Sequence, residues 1–354
     1  MADASFPHTP EDITTSWLSD SLGAPVSAFE AEQIGIGVGL LGRLYRLQLT
    51  SEGGPASVIA KFPTLDETAR MNVVEPLRFY EKEVRFYQEV GDLPVAIPRA
   101  YFAEHDPATG DFALLLEDLC EGRMADQVAG CPRPDAETAV DAMAALHSYS
   151  WGGSRFGDMP WLPSYSDPPF PQVIAGMYKQ SWPVALDILG EGMSDTIKDF
   201  GERYEGLVQW FMDELTHEPL TFCHGDFRLD NLFFATQEGQ PPVTIVDWQI
   251  CFRGRAGYDL AYFISQSLRA EDRRRCEDEL IDRYVEGLAS RNIDYPRDEL
   301  MKDYKRTVAY CFIYPIVATG QVEVTNERHL ALLRGILDRA VAAIEDTGAL
   351  ELLP

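Results

Sequence analysis

The sequence predicts an α+β chain of two lobes. A small N-terminal lobe over residues 1–117 holds an antiparallel sheet with one helix, and a larger, mainly helical lobe spans 118–354. Three observations predict this. Two short apolar strands joined by a Gly-Gly-Pro turn follow a glycine-rich segment, a strongly periodic helix follows those strands, and from residue 271 onward charged and apolar residues alternate at helical spacing. With 354 residues, 45% hydrophobic and 25% charged, the chain has the length and composition for two packed lobes.

Residues 11–22 read as an opening helix. Gly35-Ile-Gly37-Val-Gly39-Leu-Leu-Gly42 contains a G-x-G-x-x-G match, which in a dinucleotide-binding unit runs straight into a helix. Here Leu44, Tyr45, Leu47 and Leu49, mixed with Arg46 and Gln48, read as a strand instead. Gly53-Gly-Pro55 turns the chain, and Ser57-Val-Ile-Ala-Lys61 makes a second strand. Lys61 is one of six lysines and ends an apolar strand, where it needs an anion. Residues 75–90 carry a broad apolar helical face, with Leu77, Phe79, Tyr80, Val84, Phe86 and Tyr87. Glu83 falls within that face and Glu81 opposite it. A carboxylate turned inward is costly unless paired, so Glu83 is expected to pair with Lys61, the alternative being a carboxylate that snorkels at the boundary. Phe112-Ala-Leu-Leu-Leu116 is a further apolar strand, breaking into Glu117-Asp-Leu119 where the lobes meet in sequence.

The larger lobe opens with a helix over 136–148, whose His147 is read as structural. Residues 149–182 are rich in aromatics and prolines and resemble neither a regular helix nor a disordered linker. Their rings either form a wall of a pocket for an apolar, hydroxyl-bearing substrate, with Tyr178 and Trp182 at i,i+4 as candidates, or pack the insert onto its own lobe.

The chemistry concentrates in Phe222-Cys-His-Gly-Asp-Phe-Arg-Leu-Asp-Asn-Leu-Phe-Phe234 and Val243-Thr-Ile-Val-Asp-Trp-Gln249. His-Gly-Asp-x-x-x-x-Asn puts Asp226 and Asn231 on one loop, and a β-branched strand delivers Asp247. Phosphoryl transfer needs this set: an Asp to accept the hydroxyl proton, and an Asn and a second Asp to hold Mg²⁺ against the phosphates. A glycine-rich hairpin at Gly37, Gly39 and Gly42 over the phosphates, with Lys61 reaching them from the next strand, completes the pattern.

The whole resembles the aminoglycoside phosphotransferase-like kinases. Val246-Asp-Trp-Gln249 followed by Gly257-Tyr-Asp-Leu-Ala-Tyr-Phe263 is especially similar to the ecdysteroid kinase-like branch and its bacterial relatives. The resemblance covers nearly the whole chain and implies a two-lobed, protein-kinase-like fold with ATP or GTP and Mg²⁺ as cofactors. It implies Asp226 as catalytic base, Asn231 and Asp247 as metal ligands, Lys61 on the α- and β-phosphates, and Glu83 holding Lys61. Main-chain groups near Glu117 and Leu119 would meet the adenine, His224 would support the loop, and Asp259 would brace it. The acceptor implied is a small hydroxylated molecule, with an apolar or sterol-like alcohol favoured over an aminoglycoside or macrolide. Two other classes compete. A catalytically silent nucleotide-binding scaffold is opposed by intact Lys61, Asp226, Asn231 and Asp247. A metal-dependent hydrolase on His224, Asp226 and Asp247 leaves the glycines and Lys61 unexplained.

The net charge of −27 argues against nucleic acid or an anionic membrane as partner. The six cysteines show no metal spacing and are read as reduced thiols. No basic-then-apolar leader and no apolar run of ~20 residues is present, so the expectation is a cytoplasmic protein.

Overall fold

The computed structural model describes residues 6–35, 41–321 and 327–354. The chain divides into two compact units. The first comprises residues 1–92, 97–121 and 246–250, and the second 93–96, 122–245 and 251–354.

In the first unit a helix α1 (Thr15–Leu22) precedes three strands, β1 (Val26–Ile34), β2 (Gly42–Ser51) and β3 (Ser57–Pro63). Thr14 caps α1 by accepting from Trp17 N at 3.1 Å, and Gly23 at φ 64° ends it, so the helix is shorter than the 11–22 expected. A three-residue turn α2 (Glu67–Ala69) leads through a π-helical turn, Arg70–Val74, to α3 (Phe79–Glu89), and β4 (Ala100–Asp106) and β5 (Asp111–Glu117) complete a sheet ordered β1-β2-β3-β5-β4. All its neighbours are antiparallel. The expected helix over 75–90 starts later because the π turn and Arg78, at φ 54°, interrupt the α-helical run before Phe79.

Alternation along β3 sends Val58, Ala60 and Phe62 to one face, where they pack with Leu18, Leu47, Ala113 and Leu115. Lys61 therefore lies on the opposite face, which α3 covers: Tyr80 stacks on Phe112 with centroids 4.2 Å apart. The first unit runs past the expected boundary at 117 because Asp118 accepts from Arg46 Nε at 2.8 Å on β2 and from Ser57 Oγ at 2.7 Å on β3. It also takes in 246–250, where Trp248 stacks on Phe86 with centroids 4.1 Å apart.

The second unit holds two small sheets, β6 (Arg123–Met124) with β8 (Leu232–Phe234) and β9 (Val243–Ile245), and β7 (Thr221–Cys223) with β10 (Phe252–Gly254). Around them stand α4 (Arg133–Ser148), α5 (Phe170–Leu189), α6 (Asp195–Glu214), α7 (Gly257–Ser267), α8 (Ala270–Ala289), α9 (Arg297–Tyr310), α10 (Ile313–Gln321) and α11 (Glu327–Thr347). α7 is buried at every position, Asp259 and Gln266 included. No described helix is long and apolar enough to cross a membrane.

One expectation is corrected here. The proline-rich stretch after 149 ends in a regular helix, α5, because Pro171 falls in the first turn, where no amide partner is needed, and the helix carries Pro183 through its interior. α5 packs on α6 so closely that a Cβ on Gly201 would lie 2.2 Å from the Trp182 ring. Gly201→Ala is therefore expected to lower stability by about 1–3 kcal/mol, read as a reduced urea midpoint, whereas the same change at Gly206, where a Cβ meets nothing within 4 Å, should not.

Candidate active site

In the first unit Lys61, near the end of β3, meets both carboxylates that a buried ammonium requires. Its Nζ donates to Glu83 Oε2 at 2.7 Å and Oε1 at 2.9 Å, and to Asp247 Oδ1 at 2.9 Å. Lys61 is 6% exposed and Glu83 1%. Burial works to lower the Lys61 pKa, but Asp247 and Glu83 outweigh it and hold the ammonium above its ordinary value. Burial pushes the Glu83 carboxyl upward against the pull of Lys61.

Gly42 pairs with Pro63 across the β2–β3 ladder, and a Cβ there would lie 3.3 Å from both Lys61 Cε and Phe62 O. A glycine at this position thus leaves room for the lysine stem. Gly37 and Gly39 lie outside the described residues.

Asp247 sits at φ 66°, in the left-handed region that a non-glycine residue enters at a cost of roughly 1–2 kcal/mol. Two contacts hold it there beside the Lys61 bond: Gln249 Nε2 donates to Oδ2 at 3.3 Å, and the next residue, Trp248, is fully buried against Phe86 with planes 9° apart. Phe86 follows Glu83 by three positions on α3, so one helix face grips both Lys61 and the chain beyond Asp247. The Phe86–Trp248 pair was missed in the sequence because an aromatic contact between distant segments leaves no local pattern.

In the second unit Asp226 and Asn231 come together on the loop after β7. Asn231 Nδ2 donates to Asp226 Oδ2 and to Asp226 O, each at 2.9 Å. Tyr262 Oη donates to Asp226 Oδ1 at 2.8 Å, and Arg228 Nε lies 3.3 Å from the carboxylate. Burial acts to raise the Asp226 pKa, but the Arg228 guanidinium and the Tyr262 hydrogen bond prevail and hold it below the ordinary aspartate value. The loop itself hangs from Asp259, whose carboxylate accepts His224 N at 2.7 Å, Gly225 N at 2.9 Å and a hydrogen bond with His147 Nε2 at 3.0 Å. His224 Nδ1 accepts Asp226 N at 3.2 Å, a supporting contact within the loop. His147, Cys223 and Asp259 offer donor atoms within 4.8 Å of one another. All three are fully buried, and the Asp259 oxygens are already taken by two amides and an imidazole, so the cluster reads as structural.

The donor chemistry fits a hard cation. In the second unit Asn231, its amide nitrogen committed to Asp226, keeps Oδ1 as acceptor, and in the first unit Asp247 presents a partly exposed carboxylate; each taken by itself is an oxygen donor of the kind Mg²⁺ takes.

The other expected positions differ. Glu117 N donates to Arg99 O at 2.8 Å and its carboxylate accepts Arg99 N at 3.1 Å, so this amide is engaged within its own unit, next to half-buried Leu119. Tyr178 and Trp182 are buried on α5 with their polar atoms spent on α6, Tyr178 Oη on Gly201 O at 2.9 Å and Trp182 Nε1 on Glu202 Oε1 at 2.8 Å. They pack the insert onto its own unit, the second of the two alternatives. Tyr262 and Arg228, in contrast, touch the site and were not singled out. The signal for Tyr262 was present, since it stands three residues after Asp259 on one helix face.

A model of the ecdysteroid kinase-like family matches residues 40–294. No curated protein matches the chain. Among solved structures, a choline kinase of Streptococcus pneumoniae is 14% identical at a TM-score of 0.55, covering 95% of this chain and 99% of its own. A candidate aminoglycoside phosphotransferase of Ralstonia eutropha JMP134 is 16% identical at 0.56, covering 94% and 97%. A GDP complex of an aminoglycoside 2′-phosphotransferase-IIIa variant is 13% identical at 0.50, covering 92% and 93%. At these identities the likeness establishes the fold, which is protein-kinase-like.

Glu83→Ala leaves the buried Lys61 ammonium with Asp247 alone of its two carboxylates and strips two of its hydrogen bonds, so the change is expected to cost about 1–3 kcal/mol, measured by urea unfolding. Glu81→Ala, on the wetter side of the same helix, should cost far less.

Proposed function

This chain belongs to the ecdysteroid kinase-like family and is a small-molecule kinase, and we propose that it moves the γ-phosphate of ATP or GTP to a hydroxyl of a small molecule with the help of Mg²⁺. The observation that carries the reading is Lys61 on β3, bonded to Glu83 on α3 and to Asp247. A hydrolase built on His224, Asp226 and Asp247 has no use for that lysine. A scaffold has no need to keep a buried cation beside two carboxylates.

In this reading Asp226, ionised and gripped by Asn231 and Tyr262, orients the acceptor hydroxyl and takes its proton. Lys61 neutralises the α- and β-phosphates, with Glu83 holding it and Gly42 leaving room for its stem. Asn231 through Oδ1 and Asp247 through its carboxylate would hold Mg²⁺, and the ion would supply charge neutralisation on the phosphates. Main-chain groups near Glu117 and Leu119 would meet the adenine. The acceptor we favour is an apolar or sterol-like alcohol. That preference rests on the family alone, since Tyr178 and Trp182 are packed on α6.

The first test is thermal stability with ATP and with GTP, each with and without Mg²⁺. A ligand at 100 times its Kd adds ~2.7 kcal/mol. A magnesium-dependent shift in the wild type that disappears in Asp247→Ala supports the reading; no shift with either nucleotide removes it. Asp226→Asn should keep that shift and lose transfer across a panel of hydroxylated acceptors, aminoglycosides included.

A pH dependence follows as well. The ionised carboxylate is the working form, so the rate falls as pH drops through the Asp226 pKa of the folded protein. Because that pKa is lowered from 3.8, protonation of Asp226 should not limit turnover anywhere near neutrality. Arg228→Gln removes a cation that lowers it, and the acidic limb of kcat should move to higher pH; an unmoved limb would exclude Arg228 from setting the charge state of Asp226.

A further inference from the structure

α7 reaches the catalytic loop twice within one helical turn. Asp259 holds the backbone amides of His224 and Gly225, and Tyr262, three residues on, donates its hydroxyl to the side chain of Asp226 at 2.8 Å. Tyr262 is 3% exposed and lies flat against Tyr314, with centroids 4.3 Å apart and planes at 10°. Tyr314 Oη in turn reaches Gly225 O at 3.4 Å and bonds the Tyr258 hydroxyl. With Tyr262 on Oδ1 and Asn231 Nδ2 on Oδ2 at 2.9 Å, both carboxylate oxygens of Asp226 are pinned, and turning the group about its Cβ–Cγ bond breaks one contact or the other.

We propose that Tyr262 is a positioning residue for phosphoryl transfer, fixing the Asp226 carboxylate in the orientation that receives the acceptor hydroxyl. The inference rests on the kinase reading above. In a loose, metaphosphate-like transition state the protein contributes chiefly by alignment, so the direction of the carboxylate matters more than its basicity. A bond to Oδ1 lowers the basicity of Asp226 slightly while restricting its rotation, which is the favourable exchange for that chemistry. The phenol is suited to the task, because burial and the nearby Asp226 charge push its pKa well above the ordinary value and keep the donor protonated throughout the neutral range. Packing alone does not require the hydroxyl: phenylalanine keeps the stack on Tyr314 and loses only the hydrogen bond.

The test is Tyr262→Phe in the full chain, with three readouts. These are ¹³C NMR titration of the Asp226 carboxyl, hydrolysis of Mg·ATP with water as acceptor, and the thermal midpoint with and without Mg·ATP. The expected result is an Asp226 titration moved to higher pH, hydrolysis slowed by about tenfold, an unchanged KM for ATP, and a nucleotide-induced thermal shift equal to that of the wild type. Tyr314→Leu, which removes the ring backing Tyr262 but keeps its hydroxyl, should move titration and rate the same way by less, and it decides the matter if Tyr262→Phe does not fold. An unmoved titration with wild-type hydrolysis overturns the inference and leaves the kinase reading standing. A wild type that shows no nucleotide-induced shift removes the kinase reading, and the role of Tyr262 with it, even where the titration moves.

Discussion

The second unit is organised around the carboxylate of Asp259. It is fully buried, and a buried carboxylate is tolerable only when its oxygens are hydrogen-bonded. That single requirement fixes several parts at once. His147 must arrive from α4, held on its other side by a hydrogen bond to the Tyr284 hydroxyl at 2.6 Å, and the amides of His224 and Gly225 must turn toward α7. Turning two successive amides to one acceptor bends the loop sharply, and Gly225 takes φ 87° to allow it. Asp226 then emerges beside Tyr262 and Asn231. The position of the candidate base is thus a consequence of satisfying an acid one helix away.

In the first unit an ammonium plays the corresponding part. Lys61 is set on its face of the sheet by strand alternation, and its burial is sustained by two carboxylates from different elements, Glu83 on α3 and Asp247 on the segment after β9. Each contact enforces another. The Phe86–Trp248 stack secures the same two segments through apolar area, so charge pairing and aromatic packing act on the same joint. For a chain of net charge −27, a site proposed to take polyphosphate depends on local cations of this kind and on a metal, since the general field is unfavourable.

Legibility in the sequence was greatest where chemistry and periodicity coincide. Glu83 was assigned to Lys61 because a carboxylate on an apolar helix face needs a cation, and the two are bonded at 2.7 Å. It was weakest where the contacts lie between elements. Tyr178 and Trp182 have the composition of a pocket wall, and only their bonds to Gly201 and Glu202 on α6 show that the rings face a neighbouring helix. The prolines within 149–182 pointed away from a regular helix, yet Pro171 at the start of α5 is compatible with one, since amides of the first turn have no acceptor within the helix and a missing one costs nothing.

The sequence by itself determined the α+β class, the family resemblance, the loop bearing Asp226 and Asn231, the strand ending near Asp247, and the pairing of Lys61 with Glu83. Each of these is written in local spacing or in a charge placed where burial forbids it to stand alone. Tertiary structure decided the rest: Tyr262 on the Asp226 carboxylate, Trp248 on Phe86, Asp247 as a second partner of Lys61, and the packing of the aromatic insert. These depend on which surfaces meet, and a hydrogen bond or stack between residues far apart in the chain leaves no periodicity behind it.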